Sequence, residues 1–307
     1  MRVLITDPVD DKLIEILSRE GYNVAYRPDI KPDELIEEVG DKNVLVVRSR
    51  TKVTKDVIDA ARDLKLIARV GVGLDNIDVK YAEERGVLVI NAGEATAQSV
   101  AELTIGLMVN IARRIHYGYT KMLRGEWVKK EAKGIELGGK TLGIIGVGNI
   151  GSRVGRIAHY GFGMRVLGYR RRLNLVKEPI IPTPLDKLLE ESDIISIHVP
   201  LTAETRGFID KEKIVRMKKG VLIVNTSRME VLDLDAVIDA IERGHIGGLA
   251  ADTNIKPSDD RIARLLEFPN VVLTPHIGAQ TPEAQERAAV FIAEKIVKIL
   301  SGRAKPG

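Results

Sequence analysis

Short apolar runs alternate with amphipathic stretches along the first third of the chain. Val3–Thr6, Val24–Tyr26, Val44–Val47, Leu66–Val70 and Val87–Ile90 are rich in Val, Ile and Leu. Runs of this kind read as buried strands. Between them, Asp10–Glu20, Pro32–Val39, Lys55–Arg62 and Val79–Arg85 place apolar residues at helical spacing. Strand and helix in regular alternation predict a parallel sheet covered by helices on both faces. A longer helical pattern runs from about Ala97 to Arg114, and Thr141–Gly146 opens a second β/α series. Its further strands are Arg165–Tyr169, Ile194–His198, Val221–Asn225, Gly248–Asp252 and Val271–Thr274, and Pro282–Ile299 is helical. No internal repeat is visible.

Length and composition narrow this picture. At roughly 150 residues per domain, 307 residues suggest two domains. With 44% hydrophobic and 29% charged residues the chain reads as a soluble α/β protein. It has no cysteine, which excludes a disulfide scaffold and a zinc–thiolate site, and no metal site is expected. The longest apolar runs fall short of a transmembrane helix. The start, MRVLITDPVDD, turns acidic within its first residues, unlike a secretory signal; a cytoplasmic location is the expectation. The 47 basic and 43 acidic residues are interleaved and aromatics are only 4%, which argues against a nucleic-acid partner. Zero cysteine with many Lys, Arg and Glu is the composition of a thermophile.

The clearest chemical motif is Gly146-Val147-Gly148-Asn149-Ile150-Gly151. It follows the apolar run Leu142–Ile145 and opens a helical pattern, the context in which G-x-G-x-x-G signals dinucleotide binding. The first glycine permits a tight turn, the second lets a pyrophosphate approach the backbone, and the third lets helix pack on strand. The free N–H groups of the helix start then face the anion. An NAD site would place a carboxylate at the end of the next strand. Here that strand ends in Tyr169-Arg170-Arg171-Arg172. Arg170 and Arg171 suit the extra phosphate of NADP, although a solvated basic loop would read the same way.

These motifs, with Arg48-Ser49-Arg50-Thr51, Gly71-Val72-Gly73-Leu74-Asp75-Asn76, Asn225-Thr226-Ser227-Arg228 and Pro275-His276-Ile277-Gly278-Ala279, resemble the D-isomer-specific 2-hydroxy acid dehydrogenases along nearly the whole chain. Within that family the chain looks closest to the short phosphoglycerate dehydrogenases. The resemblance implies two doubly wound domains, flavodoxin-like for substrate and Rossmann for cofactor, with a cleft between them. The substrate domain would comprise residues 1–95 and 283–307, and the cofactor domain 96–282. It implies hydride transfer between NAD or NADP and C2 of a 2-hydroxy or 2-keto acid, in a homodimer formed through the cofactor domain. The segment 118–139, with Trp127, matches the dimerisation region, although Trp127 could equally be core.

Residue by residue, the resemblance makes Arg228 the catalytic cation and His276 the acid/base. A guanidinium can fork to a carboxylate and polarise a keto group, and an imidazole exchanges protons near neutral pH. Gly71, Val72 and Gly73 would hold the substrate carboxylate through backbone N–H groups, with Arg48 and Ser49 beside them and Arg50 as a possible helper. Pro200, Thr226, Asp252, Gly278 and Ala279 fall on the cofactor side, Asp252 at the nicotinamide carboxamide. Three positions depart from the family: Pro257 stands where a glutamate pairs with the histidine, Met229 where glycine is usual, and Arg170 where an acid is usual. Either Asp259 or Asp260 replaces the glutamate, or His276 works unaided, or the chain senses a dinucleotide as the family's corepressors do. The expected substrate pair is 3-phosphoglycerate and 3-phosphohydroxypyruvate of serine biosynthesis, with an NADPH-linked glyoxylate or hydroxypyruvate reductase as the alternative.

Overall fold

The computed structural model describes residues 1–302 and divides into two compact units, Met1–Thr96 with the chain's last segment from Ala279, and Ala97–Gly278. In the first unit β1 (Arg2–Ile5), α1 (Asp11–Arg19), β2 (Asn23–Tyr26), α2 (Pro32–Glu38), β3 (Val44–Val47), α3 (Lys55–Ala60), β4 (Leu66–Arg69), α4 (Val79–Glu84) and β5 (Leu88–Asn91) follow one another. The strands form one parallel sheet in the order β2-β1-β3-β4-β5. Alternation along each strand divides the core. Val3, Ile5, Val44 and Val46 face Leu13 and Leu17 of α1 and Ile292 and Ile296 of the chain's final helix. Leu4, Leu45 and Val47 face Leu35, Val57 and Ala82 on the other side. A run such as Val44–Val47 is therefore apolar throughout because both of its faces are covered. Helix starts are capped where the sequence supplies a short carboxylate: Asp10 accepts from the N–H of Lys12 and Asp78 from that of Tyr81.

The second unit begins with α5 (Ala97–Arg113) and α6 (Ile115–Leu123), separated by Arg114 in the left-handed region at φ 53°. Then come β6 (Thr141–Ile145), α7 (Asn149–Phe162), β7 (Arg165–Tyr169), β8 (Ile181–Pro182), α8 (Leu185–Glu191), β9 (Ile194–Ile197), α9 (Lys211–Arg216), β10 (Val221–Asn225), α10 (Leu234–Glu242), β11 (Ile246–Asp252), α11 (Asp260–Leu266) and β12 (Val271–Thr274). The final helix, α12 (Pro282–Leu300), belongs to the first unit. The second sheet is parallel throughout, in the order β12-β11-β10-β9-β6-β7-β8. From β6 the chain moves outward through β7 and β8, and from β9 it moves outward the other way. The strand order thus reverses between β6 and β9. In such sheets ligands bind beyond the carboxyl ends of the strands at this reversal. Both sheets are doubly wound, as the alternation of strand and helix predicts. Among the described residues no helix is long and apolar enough to cross a membrane.

Candidate active site

The glycine turn lies at the reversal. Gly146 has φ +100°, and a Cβ there would come within 2.7 Å of the His198 backbone at the end of β9. Its N–H donates to the Tyr169 carbonyl at 2.9 Å, closing the turn against β7. Gly151 lies under the same turn, where a Cβ would meet the Gly146 carbonyl oxygen at 2.5 Å. Gly148 is different. It precedes α7 in extended backbone, and nothing stands within 4 Å of where its Cβ would be. Two glycines are therefore demanded by the fold, while the third keeps open the space in front of a helix start. Asn149 and Ile150 supply the next first-turn amides, which have no carbonyl partner inside the helix. That open space and those donors fit a dinucleotide pyrophosphate.

Around this turn, Arg170 is half-buried and Arg171 and Arg172 are exposed. Arg171 pairs with Glu204 of the β9–α9 loop. Pro200 lies near the start of that loop, and its carbonyl accepts from Thr205 Oγ1 at 2.5 Å. His198, which the sequence reading left unassigned, joins a buried polar chain. Its Nε2 meets Ser196 Oγ at 2.8 Å, its Nδ1 meets Thr226 Oγ1 at 3.4 Å, and Thr226 Oγ1 meets Thr104 Oγ1 at 2.9 Å. The residue keeps some accessible surface, but both nitrogens face buried partners. Burial pushes the imidazole down to about 3, so it is neutral at physiological pH. Thr226 is thus tied into the floor beneath the turn.

Arg228 and His276 sit on turns beyond β10 and β12, with β11 between them. Strands are about 4.8 Å apart, so the two turns begin about 10 Å apart, a gap that two long side chains can span. Each turn is fastened by a buried residue at the end of a strand. Asn225, 1% exposed, accepts from the Ser227 N–H at 3.0 Å and donates to the Arg228 carbonyl at 2.9 Å. The Arg228 guanidinium donates to the Ser227 carbonyl at 3.0 Å. Asp252, 4% exposed, accepts from Thr274 Oγ1 at 2.6 Å, from the Ile277 N–H at 2.8 Å and from the Gly278 N–H at 2.8 Å. His276 itself is exposed, with φ 54°. Gly278 ends this unit and Ala279 begins the last segment of the other.

Of the two carboxylates expected to stand in for a glutamate, Asp259 is otherwise engaged. Asp259 caps α11 through the Arg261 N–H at 3.0 Å and pairs with the Arg261 guanidinium, which holds its carboxyl below the usual range. Asp260 is exposed in the first turn of that helix, and Pro257 lies exposed in the loop. A carboxylate unmentioned in the sequence reading, Glu230, follows Arg228 and Met229 and meets Asn254 Nδ2 at 3.4 Å.

In the first unit the loops beyond β3 and β4 are bound together. Asn76 Nδ2 donates to the carbonyls of Arg48 at 2.8 Å and Thr51 at 2.6 Å. The carbonyl of Gly71 accepts from the Ala92 N–H at 2.9 Å, that of Val72 from Asn91 Nδ2 at 2.7 Å, and that of Gly73 from Arg69. Among the described residues the N–H groups of Val72 and Gly73 make no hydrogen bond. The Gly71 N–H, by contrast, donates to the Arg69 carbonyl at 2.9 Å, so of the three expected carboxylate contacts only those of Val72 and Gly73 are open. In the neighbouring loop Arg48 is half-buried with Nη1 on the Pro8 carbonyl at 3.1 Å, and Ser49 is exposed. Arg50 is committed elsewhere: its guanidinium pairs with buried Asp7 at 3.0 Å and donates to the carbonyls of Ile30 and Pro28.

Residues 105–278 match the model of the D-isomer specific 2-hydroxyacid dehydrogenase NAD binding domain. The chain belongs to the D-isomer specific 2-hydroxyacid dehydrogenase family. It is similar to a hydroxypyruvate reductase of Thermotoga maritima, with 45% identity covering 97% of this chain and 98% of that one. It is similar also to a D-3-phosphoglycerate dehydrogenase of Methanocaldococcus jannaschii, at 44% identity over 98% of this chain but only 58% of the relative. Among solved structures, an NAD-bound 3-phosphoglycerate dehydrogenase of Entamoeba histolytica superposes with a TM-score of 0.83 at 32% identity, covering 99% of this chain and 96% of that one. Enzymes of this family are nicotinamide-dependent oxidoreductases of D-2-hydroxy acids, which matches the open turn at Gly148.

Proposed function

We propose that this protein interconverts 3-phosphoglycerate and 3-phosphohydroxypyruvate. The observation that carries the reading is the pair of fastened turns presenting Arg228 and His276 beyond the carboxyl ends of β10 and β12. The Arg228 guanidinium forks to the substrate carboxylate and polarises the keto oxygen. His276, protonated, gives its proton to that oxygen as the alcohol forms, and takes it back in the oxidative direction. The bound nicotinamide supplies or accepts the hydride. Within the first unit, the open amides of Val72 and Gly73, with Arg48 and Ser49 in the neighbouring loop, are suited to the anionic groups of such a substrate. Similarity to the phosphoglycerate dehydrogenase at 44% identity supports this choice. The second reading, reduction of hydroxypyruvate or glyoxylate, is favoured by the 45% identical reductase, which the chain matches over 98% of its length.

The cofactor side of the proposal assigns Gly146, Gly148, Asn149, Ile150, Gly151, Thr226, Pro200, Gly278 and Ala279 to the dinucleotide. Arg170 and Arg171 favour NADP, because no carboxylate follows Tyr169 to bind a ribose 2′-hydroxyl. The protein acts in the cytoplasm as a homodimer. Supporting the dimer, α6 and the following loop expose Tyr119, Met122, Leu123 and Trp127, the last 79% accessible. The test of substrate is an Arg48→Ala variant assayed on both acids. Phosphohydroxypyruvate reduction is expected to lose kcat/KM by about tenfold or more, one charged hydrogen bond being worth about 1.5–3 kcal/mol, while hydroxypyruvate reduction holds. Equal losses would reject a phosphate contact.

A further inference from the structure

We propose that Asp252 is the positioning residue for His276, acting on the backbone of the turn that carries it. The inference rests on the reading of His276 as proton donor. Asp252 is buried, and its three hydrogen bonds all go to the turn of residues 274–278. One partner, Thr274, precedes His276, and two, Ile277 and Gly278, follow it. The carboxylate therefore grips both flanks of the histidine. Between those grips the His276 N–H donates to the Thr274 carbonyl at 3.0 Å and its backbone takes φ 54°. A residue with a Cβ adopts this left-handed conformation uncommonly, and strain of this kind persists where the surroundings support it. The buried carboxylate gives that support here, because it fixes the direction of the amides on the far side of the turn.

The chemistry of the pair requires an acid at position 252. A carboxylate accepts on both oxygens. The Thr274 hydroxyl and the Ile277 N–H share Oδ1, and the Gly278 N–H uses Oδ2. An amide placed there would turn its NH2 toward one of these donors. The grip of Asp252 thus bears on the aim of His276 through the backbone on both sides of it.

The test uses Asp252→Asn in the full chain, with Thr274→Val as a milder second variant that leaves the carboxylate in place. Nicotinamide fluorescence titration gives the cofactor Kd, and steady-state assays give kcat and KM. The hydride isotope effect is measured with cofactor deuterated at C4, and amide hydrogen exchange is followed at Ile277 and Gly278. Asp252→Asn is expected to lower kcat on the order of 100-fold, the cost of a misplaced reacting group, with any rise in cofactor Kd the smaller effect. The isotope effect rises, since chemistry becomes slower than the other steps, and the two amides exchange faster. Thr274→Val moves the same readouts less. A raised cofactor Kd with kcat unchanged would overturn the proposal and make Asp252 a cofactor contact. Unchanged exchange at Ile277 and Gly278 would overturn it whatever the activity. If the wild-type protein reduces no keto acid, the reading of His276 fails, while the exchange result still decides the grip.

Discussion

Gly148 and Gly151 separate the two things a glycine can do in the cofactor turn. In Gly148→Ala the new methyl meets nothing within 4 Å, and the backbone is already extended. Alanine is a poorer helix cap than glycine by about 1 kcal/mol or less, and it restricts the unfolded chain by about 0.4–1 kcal/mol. These effects nearly cancel, so Tm should move by about 3 °C at most. Cofactor binding should not survive as well. The methyl holds the pyrophosphate away from the helix start, and one lost hydrogen bond to a charged acceptor is worth about 1.5–3 kcal/mol, or about 10- to 150-fold in Kd. Gly151→Ala reverses the pattern. Its methyl would lie 2.5 Å from the Gly146 carbonyl oxygen and 3.0 Å from Ile144 Cγ2. Overpacking of that kind costs about 1–3 kcal/mol and lowers Tm by several degrees. Thermal melts and fluorescence titration with NADH and NADPH measure both. A Gly148→Ala protein that binds both cofactors as the wild type does would refute a dinucleotide at this turn.

Other consequences follow from the same geometry. Arg170→Ala should weaken NADPH by about tenfold, one charged contact at the lower end of its usual worth, and leave NADH unchanged; equal Kd shifts for the two would remove the 2′-phosphate from the picture. His198 predicts an acid weakness. Its folded pKa of about 3 lies below the ordinary 6.5, so its contribution is fully present above pH 6.5 and is lost as pH falls toward 3. The slope over that window is up to about 1.4 kcal/mol per pH unit. Denaturant melts at pH 7 and 4.5 on wild type and His198→Asn check it: the variant should lose less stability on acidification, and an equal loss would count against the buried neutral histidine.

Much of this protein was legible from apolar runs, because a strand covered on both faces cannot hide its pattern. Val44–Val47, Arg165–Tyr169, Val221–Asn225 and Val271–Thr274 have the boundaries that the pattern predicts. Elements with one open side were not legible. β8 is two residues at a sheet edge, one of them proline, and carries no run to read. α6 exposes Tyr119, Met122 and Leu123 instead of burying a stripe, and none of its residues is buried. β11 begins at Ile246, earlier than Gly248, since Gly247 lies so close to the Gly220 carbonyl that only a glycine fits. At the site, the motifs pointed to Arg228 and His276, but what holds them depends on strand register. Asn225 and Asp252 reach their turns because β10, β11 and β12 end side by side. Arg50 shows the converse. Its place in a basic run suggested a ligand, and its contacts with Asp7, Ile30 and Pro28 come from segments distant in sequence.

Reduction of a 2-keto acid by Arg228 and His276 can be watched in one catalytic cycle. The direct measurement is single-turnover oxidation of NADPH and NADH by phosphohydroxypyruvate and hydroxypyruvate, on wild type, Arg228→Gln and His276→Gln. The wild type should turn over, each variant should lose about a hundredfold or more, as expected for a positioned proton donor or electrostatic group, and cofactor Kd values should stay close to those of the wild type. Tight cofactor binding by the wild type with no turnover of either acid, or variants as fast as the wild type, would contradict these roles for Arg228 and His276.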